Sequence, residues 1–132
     1  GSAYGIYAES AAFAGTGIST TPTLQAEGNT ISGVNGGGIY AGNGHGHITG
    51  NSVRGCTGDA IAGLLSGIVA DNSISLPTGA NADGIEVEGV VVRDNSVRNF
   101  GTGVGIRFTF GGVAMSNTVI GGTAFSFAAS TR

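Results

Sequence analysis

The stretch NSVRG at residues 51–55 decides the fold, because it returns along the chain in altered copies. Each copy is an asparagine, then a hydroxyl residue, then a β-branched aliphatic residue. The copies are NTISG at 29–33, NSISL at 72–76, NSVRN at 95–99 and NTVIG at 117–121. Successive asparagines are 22, 21, 23 and 22 residues apart. A constant period of this length is typical of proteins built from stacked repeating units.

A second sequence feature recurs with the same period as the asparagine. An isoleucine after a small residue precedes each asparagine, and these pairs are Gly17-Ile18, Gly38-Ile39, Ala60-Ile61, Gly84-Ile85 and Gly105-Ile106. Between the marks, β-branched and aromatic runs alternate with turn residues, and no helical period is present. We therefore predict an all-β fold, a β-solenoid of about five to six coils of roughly 22 residues. Successive coils would stack about 4.8 Å apart as parallel strands.

Stacking gives the repeated asparagine a physical reason. Amide side chains at one phase of adjacent coils can hydrogen-bond to one another, which predicts an Asn ladder. Its members are Asn29, Asn51, Asn72, Asn95 and Asn117. The asparagine is also expected to adopt the unusual backbone angles of a tight turn, with the following hydroxyl residue as part of that turn.

Three further columns are predicted to point into the coil. One lies two residues after each asparagine: Ile31, Val53, Ile74, Val97 and Val119. One lies three residues before it: Ala26, Ile48, Val69, Val92 and Ala114. The last lies five residues after it: Val34, Cys56, Pro77, Phe100 and Gly122. This position makes Cys56 a buried core residue rather than a nucleophile.

Composition limits the function classes. The chain has 132 residues, of which 40% are hydrophobic and 10% charged, so it can build one packed core and is not disordered. The net charge is -3 and the chain has no lysine, so we predict no binding to nucleic acid. The uncharged stretch 108–131 is interrupted by glycines and polar residues, so we predict no membrane span. A single cysteine excludes an intrachain disulfide.

Repeat units of the form GI…GNxI and GI…DNxV resemble those of right-handed parallel β-helix proteins, the pectate-lyase-like superfamily. The resemblance covers about residues 15–130 and implies a single-stranded right-handed parallel β-helix. That group includes polysaccharide lyases and hydrolases, alginate epimerases and phage tailspikes. It therefore implies a polysaccharide partner and an extracellular or virion-associated location. The lyases of the group use a Ca2+ site, but no residues here support one, so we predict no cofactor. The motifs of its enzymes are not matched in this sequence.

Acidic residues gather beside the longest turn, at 75–84. Asp59 and Asp83 share a phase in adjacent coils, while Glu86 and Glu88 lie on one face of the following strand. Neighbouring carboxylates can act as acid and base, so Asp59, Asp83 and Glu86 are candidate catalytic residues. They could also hold Ca2+, but we assign no metal site. The structural alternative is an ion pair between Glu86 and Arg107, which share a phase one coil apart.

Other residues are candidates for contact with a glycan. Glu88 and Arg107 lie beside the acidic cluster, and Arg54 and Arg98 share a phase two coils apart, about 10 Å from each other. Two arginines at that spacing could contact an acidic sugar polymer.

Two further pairs are weaker candidates. Asp71 and Asp94 precede ladder asparagines and are interpreted as exposed turn residues. His45 and His47 lie on one strand face but lack a third metal ligand, and His47 shares a column with Ile68, Val91 and Val113, so we expect it to be partly covered.

We predict that 1–132 is a single β-helix domain or a segment of a longer β-helix. Residues 1–2 are interpreted as a cloning scar, 1–16 as a partial first coil and 123–132 as a last partial coil. The ends are apolar without a capping helix, so we expect self-association or the remainder of a longer β-helix to cover them.

The leading functional hypothesis is a non-catalytic scaffold or glycan-contact module of a larger secreted or phage-borne carbohydrate-active protein. The alternatives are a polysaccharide hydrolase or lyase, and a structural or engineered repeat fragment that self-assembles through its ends.

Overall fold

A computed structural model describes residues 3–9 and 23–127. Within these ranges the regular structure is β-strand, and no helix could span a membrane. The strands are β1 (Ala3–Glu9), β2 (Thr23–Glu27), β3 (Thr30–Ser32), β4 (Gly36–Thr49), β5 (Ser52–Arg54), β6 (Ile61–Ala70), β7 (Ser73–Leu76), β8 (Ile85–Glu88), β9 (Val90–Arg93), β10 (Ser96–Asn99), β11 (Val104–Phe110), β12 (Val113–Met115), β13 (Thr118–Ile120) and β14 (Thr123–Phe127). The predictions for residues 1–2, 10–16 and 128–132, and the repeat mark Gly17-Ile18, lie outside the described residues.

The strands form two parallel sheets. One follows the order β1-β4-β6-β8-β11-β14, with β2, β9 and β12 attached to it, and the other follows β13-β10-β7-β5-β3. Paired strands come from successive repeats, as in the alignment of Val53 with Ile74 and of Ile74 with Val97. The chain therefore advances by one strand spacing with every coil. The predicted all-β parallel solenoid is confirmed, with about five coils.

The asparagine ladder is confirmed and makes more bonds than predicted. In each of the first four asparagines, Nδ2 donates to Oδ1 of the next ladder asparagine at 2.9–3.0 Å. The backbone N–H of the same residue donates to that oxygen at 2.9–3.0 Å. From Asn51 onward, Nδ2 also donates to a carbonyl of the preceding coil at 2.8–2.9 Å. The three central asparagines are buried and fully bonded.

The turn before each ladder asparagine corrects one prediction. The left-handed backbone conformation belongs to the residue that precedes the asparagine, not to the asparagine itself. Its φ is between 55° and 67° in all five coils, at Gly28, Gly50, Asp71, Asp94 and Ser116. The asparagine is instead used entirely for hydrogen bonding, and the hydroxyl residue after it begins a strand rather than completing a turn.

The first two predicted core columns are confirmed. Their central members are at most 1% exposed, and Ala114 and Val119 pack partly buried at one end. The third column is right for Cys56, which is fully buried, and for Val34, which packs partly buried against the core. It is wrong for Pro77, Phe100 and Gly122, which are exposed. Strands β7 and β10 run one residue further than β5, so alternation turns Leu76 and Asn99 inward instead.

Asn99 is a buried polar residue that the repeat pattern does not indicate. Its Nδ2 donates to the carbonyls of Ala82 and Val104 at 2.9 and 3.1 Å, and its Oδ1 accepts the Gly101 N–H at 3.0 Å. These bonds hold the long 75–84 turn against the coil. The turn thereby ends at a fixed position beside the acidic residues.

Candidate functional site

The predicted acidic residues come together on the outside of the larger sheet. Asp59 lies in the turn before β6, Asp83 in the turn before β8, and Glu86 within β8. Carboxyl oxygens of the three lie within 4.8 Å of one another. Within the described ranges this is the only group of three such side chains close enough to share a cation. We call it the carboxylate cluster.

Asp59 and Asp83 also form a short ladder of their own. The Asp83 N–H donates to Asp59 Oδ1 at 2.7 Å, and the Val104 N–H donates to Asp83 Oδ1 at 2.7 Å. Asp83 is 5% exposed and has Arg107 Nε on its other oxygen at 2.5 Å. Asp83 is therefore a structural carboxylate, whereas Asp59 and Glu86 remain half-buried and face outward.

The partner of Arg107 differs from the predicted one. Arg107 and Glu86 are aligned across β11 and β8, as expected, but the ion pair joins Arg107 to Asp83. A buried carboxylate gains more from a guanidinium than an exposed one, because less solvent screens the pair. The prediction of a Glu86–Arg107 ion pair is wrong, and Glu86 keeps its carboxyl group free of that bond.

The three carboxyl groups of the cluster have different pKa values. Burial, the Asp59 charge and contact with Asp83 raise the pKa of Glu86 to about 7. Burial also raises the pKa of Asp59. Burial opposes ionisation of Asp83 too, but its bonds to Arg107 and Val104 outweigh it and lower the pKa of that carboxyl. Near neutral pH the site thus holds one readily exchanged proton beside an ionised aspartate.

A groove runs beside the cluster and has an aromatic wall that sequence reasoning missed. It encloses about 350 Å³ and is lined by Asp59, Glu86, Asn81 and the rings of Tyr4 and Tyr40. The two rings stack with centroids 5.0 Å apart. The 75–84 turn contributes Asn81 and Ala82 to the wall. No repeat signal could have indicated this pair, because Tyr4 aligns with Gly37 and not with Tyr40.

The floor of this groove contains no bulky side chains. Gly36, Gly37, Gly58 and Gly63 line it. A Cβ on Gly37 would lie 2.6 Å from the ring of Tyr4, so only glycine leaves that ring its place. We call the whole groove, with its aromatic wall and glycine floor, the carboxylate groove.

The stability of the protein should depend on the Glu86 proton. The folded-state pKa of about 7 lies above the ordinary value of 4.5, so the folded protein retains a proton that the unfolded chain releases. We expect the melting temperature to fall as the pH rises from about 4.5 to about 7. Asp83 has the opposite effect, because its pKa is lowered in the folded protein. Its ionised form stabilises the fold, and this stabilisation is lost only in stronger acid.

The variant Glu86→Gln should remove most of this fall, because the amide does not titrate. Glu88→Gln is the matched control on the same strand and should keep the parent profile. Thermal unfolding followed by circular dichroism at a series of pH values measures both. A parent-like pH profile in Glu86→Gln would contradict the assignment.

The remaining candidates lie elsewhere. Glu88 does not line the carboxylate groove but borders an adjoining hollow of about 150 Å³, which shares Gly63 and Glu86 with that groove. Arg54 and Arg98 are exposed on the smaller sheet, aligned through Ser75. Their roles in glycan contact, and that of Arg107, stay predictions.

Asp71 and Asp94 are exposed turn residues, as predicted, and they share a partner that was not predicted. Arg93 approaches Asp94 at 2.9 Å and Asp71 at 3.8 Å, which offsets their mutual repulsion.

The histidine pair is only partly as predicted. The rings of His45 and His47 are 5.7 Å apart, and His45 Nδ1 contacts Ser66 Oγ at 2.7 Å. His47 aligns with Ile68 as expected, but it is exposed, because this column points outward. The expectation that packing covers His47 is wrong.

Comparisons with known protein families, with curated proteins and with solved structures give no match to this chain. What the geometry defines is a class, a parallel β-solenoid with an asparagine ladder and an outward-facing carboxylate groove.

Proposed function

We propose that this chain is a glycan-contact module of the right-handed parallel β-helix type, similar to the pectate-lyase-like proteins, and that it binds a sugar chain in the carboxylate groove. The observation that carries the proposal is the juxtaposition of the stacked Tyr4 and Tyr40 rings with the carboxylates of Asp59 and Glu86. An extracellular or virion-borne setting within a larger carbohydrate-active protein is the context that this role implies.

The chemistry of the groove suits a sugar without negative charge. Tyrosine offers an apolar ring surface with a polar tip, which fits the C–H face of a pyranose and its hydroxyl rim. Carboxylates and the Asn81 amide accept and donate hydrogen bonds to sugar hydroxyls. An acidic sugar would find no free cation in the groove, because Asp59 and Glu86 line it and the nearby Arg107 is already paired with Asp83. The favoured ligand is therefore a neutral polysaccharide.

Binding can be measured by tyrosine fluorescence, because the chain has no tryptophan and two of its three tyrosines line the groove. We expect neutral oligosaccharides from a panel of linkage types to perturb this signal. Tyr40→Ala should weaken binding about tenfold through loss of ring contact.

The matched control is Phe100→Ala, which removes an exposed aromatic ring that does not line the groove and should leave affinity unchanged. The proposal would be contradicted if both variants lost the same affinity. It would also be contradicted if the parent bound neutral sugars no more tightly than Tyr40→Ala does. Isothermal titration provides a readout that does not depend on tyrosine.

Hydrolysis of a glycosidic bond is a second candidate function, and the Glu86 pKa of about 7 favours it. A protonated Glu86 can act as general acid towards the leaving oxygen, with Asp59 as the second carboxylate. Oxygens within 4.8 Å are closer to the retaining arrangement, with its separation of about 5 Å, than to the inverting one. A lyase has less support, because its base would be Arg107, which is paired to Asp83 and has a raised pKa.

A reducing-sugar assay on the neutral polysaccharides that bind decides between the two functions. We expect Glu86→Gln to abolish any turnover while it retains binding. Turnover that survives in Glu86→Gln would exclude Glu86 as the acid.

A further inference from the structure

The smaller sheet presents a surface that the proposed function does not use. In strands β3, β5, β7, β10 and β13 the second residue points inward, and the first and third point outward. The first outward row consists only of hydroxyl residues, aligned in register: Thr30, Ser52, Ser73, Ser96 and Thr118. One hydroxyl therefore recurs at every strand spacing of about 4.8 Å along the coil axis.

The second outward row carries the positive charge of this surface. Its members are Ser32, Arg54, Ser75, Arg98 and Ile120. Arg54 and Arg98 are two strands apart, about 10 Å. Together with serines of both rows they line a groove of about 440 Å³. We call the two rows together the Ser/Arg face.

These two arginines differ from the others in the described ranges. Arg93 and Arg107 each pair with aspartates, whereas Arg54 and Arg98 have no ion pair with any described residue. The outward positions of the five strands include no acidic residue. The nearest acidic turn residues, Asp71 and Asp94, are already bridged by Arg93. In a chain of net charge -3, this face is thus a local positive surface.

We propose that the Ser/Arg face binds an acidic polysaccharide that lies along the coil axis. Its carboxylate or sulfate groups would bind Arg54 and Arg98, because a guanidinium fork matches such groups with two parallel hydrogen bonds. Its hydroxyls would exchange hydrogen bonds with the serine and threonine row, where each side chain both donates and accepts. A polymer with charges recurring at twice the strand spacing meets both arginines.

The surface fits an acidic sugar better than another polyanion. Single-stranded nucleic acid is held by aromatic side chains on which the bases stack. The outward positions of these five strands carry hydroxyl, arginine and isoleucine side chains, and no aromatic ring. A row of hydroxyls instead matches a ligand that is itself covered with hydroxyls.

This inference does not depend on the carboxylate groove. The two surfaces lie on different sheets, and one is proposed to bind acidic sugars and the other neutral ones, so uronate oligosaccharides report on the first and neutral oligosaccharides on the second. Tyr40→Ala should weaken binding of the neutral sugars only.

The test uses galacturonate oligosaccharides of about ten sugars and neutral oligosaccharides of equal length, titrated calorimetrically at low salt. We expect Arg98→Gln to weaken galacturonate binding about tenfold, as for loss of one charge-assisted contact. The charge-matched control Arg93→Gln removes one positive charge but no direct contact with the ligand, so it should weaken binding much less than Arg98→Gln. Ser75→Arg, which places a third arginine between the two, should tighten binding about fivefold, a gain that misfolding cannot produce.

Three outcomes would overturn the proposal. They are parent-like galacturonate affinity in Arg54→Gln/Arg98→Gln, equal losses in Arg98→Gln and Arg93→Gln, and a thymidine oligomer that binds as tightly as galacturonate. The last result would show a site for any polyanion. Binding that weakens with added salt in the parent, and less steeply in Arg98→Gln, supports the proposal.

Discussion

Replacement of Asn72 by alanine should lower the free energy of unfolding by about 3 kcal/mol, since it leaves several buried polar groups without partners. Asn72 Oδ1 accepts two bonds from Asn51, one from the backbone N–H and one from Nδ2. Its own Nδ2 donates to the Ile48 carbonyl and to Asn95 Oδ1. All of these groups lie within the coil stack, where water cannot replace the lost amide.

The matched control is Asn29→Ala, at the end of the described ladder. Asn29 is half-buried, and its backbone N–H still bonds to Asn51 Oδ1 after the substitution. It should therefore lose about 1 kcal/mol or less. Chemical denaturation of both variants measures the difference, and equal losses would show that burial within the ladder contributes nothing.

Most of the architecture follows from the repeat alone. A period of about 22 residues with two marks in constant phase leaves few folds other than stacked coils. The same alignment identifies the ladder and two core columns, because a residue at one phase of every coil must meet its own copies. Val53, Ile74 and Val97 are inward for this reason, and the structure bears it out.

The errors arise where coils differ in length. Pro77 and Phe100 were predicted to point inward because they lie five residues after a ladder asparagine. Strands β7 and β10 extend one residue beyond β5, so the alternation of side chains turns both residues outward. Two other errors concern the direction of side chains near turns. The His47 column points outward, and Arg107 pairs with Asp83 rather than with Glu86. A one-dimensional period carries no information on these directions.

Part of the candidate site could be predicted from the sequence. Shared phase brings Asp59 and Asp83 together, and strand alternation adds Glu86. Which carboxylate is buried could not be predicted, since it depends on the Val104 N–H and Arg107 from the next coil. The aromatic wall was missed because Tyr4 and Tyr40 come from coils before the acidic turn, and only stacking places them beside it.

Substitution of Gly67 by alanine should be among the most damaging single changes in the chain. Gly67 is aligned with Gly46 of the preceding coil, and a Cβ on Gly67 would lie 1.9 Å from the Gly46 carbonyl oxygen. Its φ is 115°, a conformation that alanine adopts only with strain. Strain and overpacking together should destabilise the fold by about 4 kcal/mol or more.

Gly50→Ala separates these two causes. Gly50 also has a positive φ, 67°, but a Cβ there would meet nothing closer than the Gly28 nitrogen at 3.9 Å. Asp71 already occupies the equivalent position of the next coil with a φ of 57°. Gly50→Ala should therefore lose only about 1–2 kcal/mol, the strain of a left-handed residue. If Gly67→Ala unfolds at the same denaturant concentration as Gly50→Ala, the coils are not in contact at Gly46. If it is clearly less stable, backbone contact between successive coils sets the limit on side-chain size there.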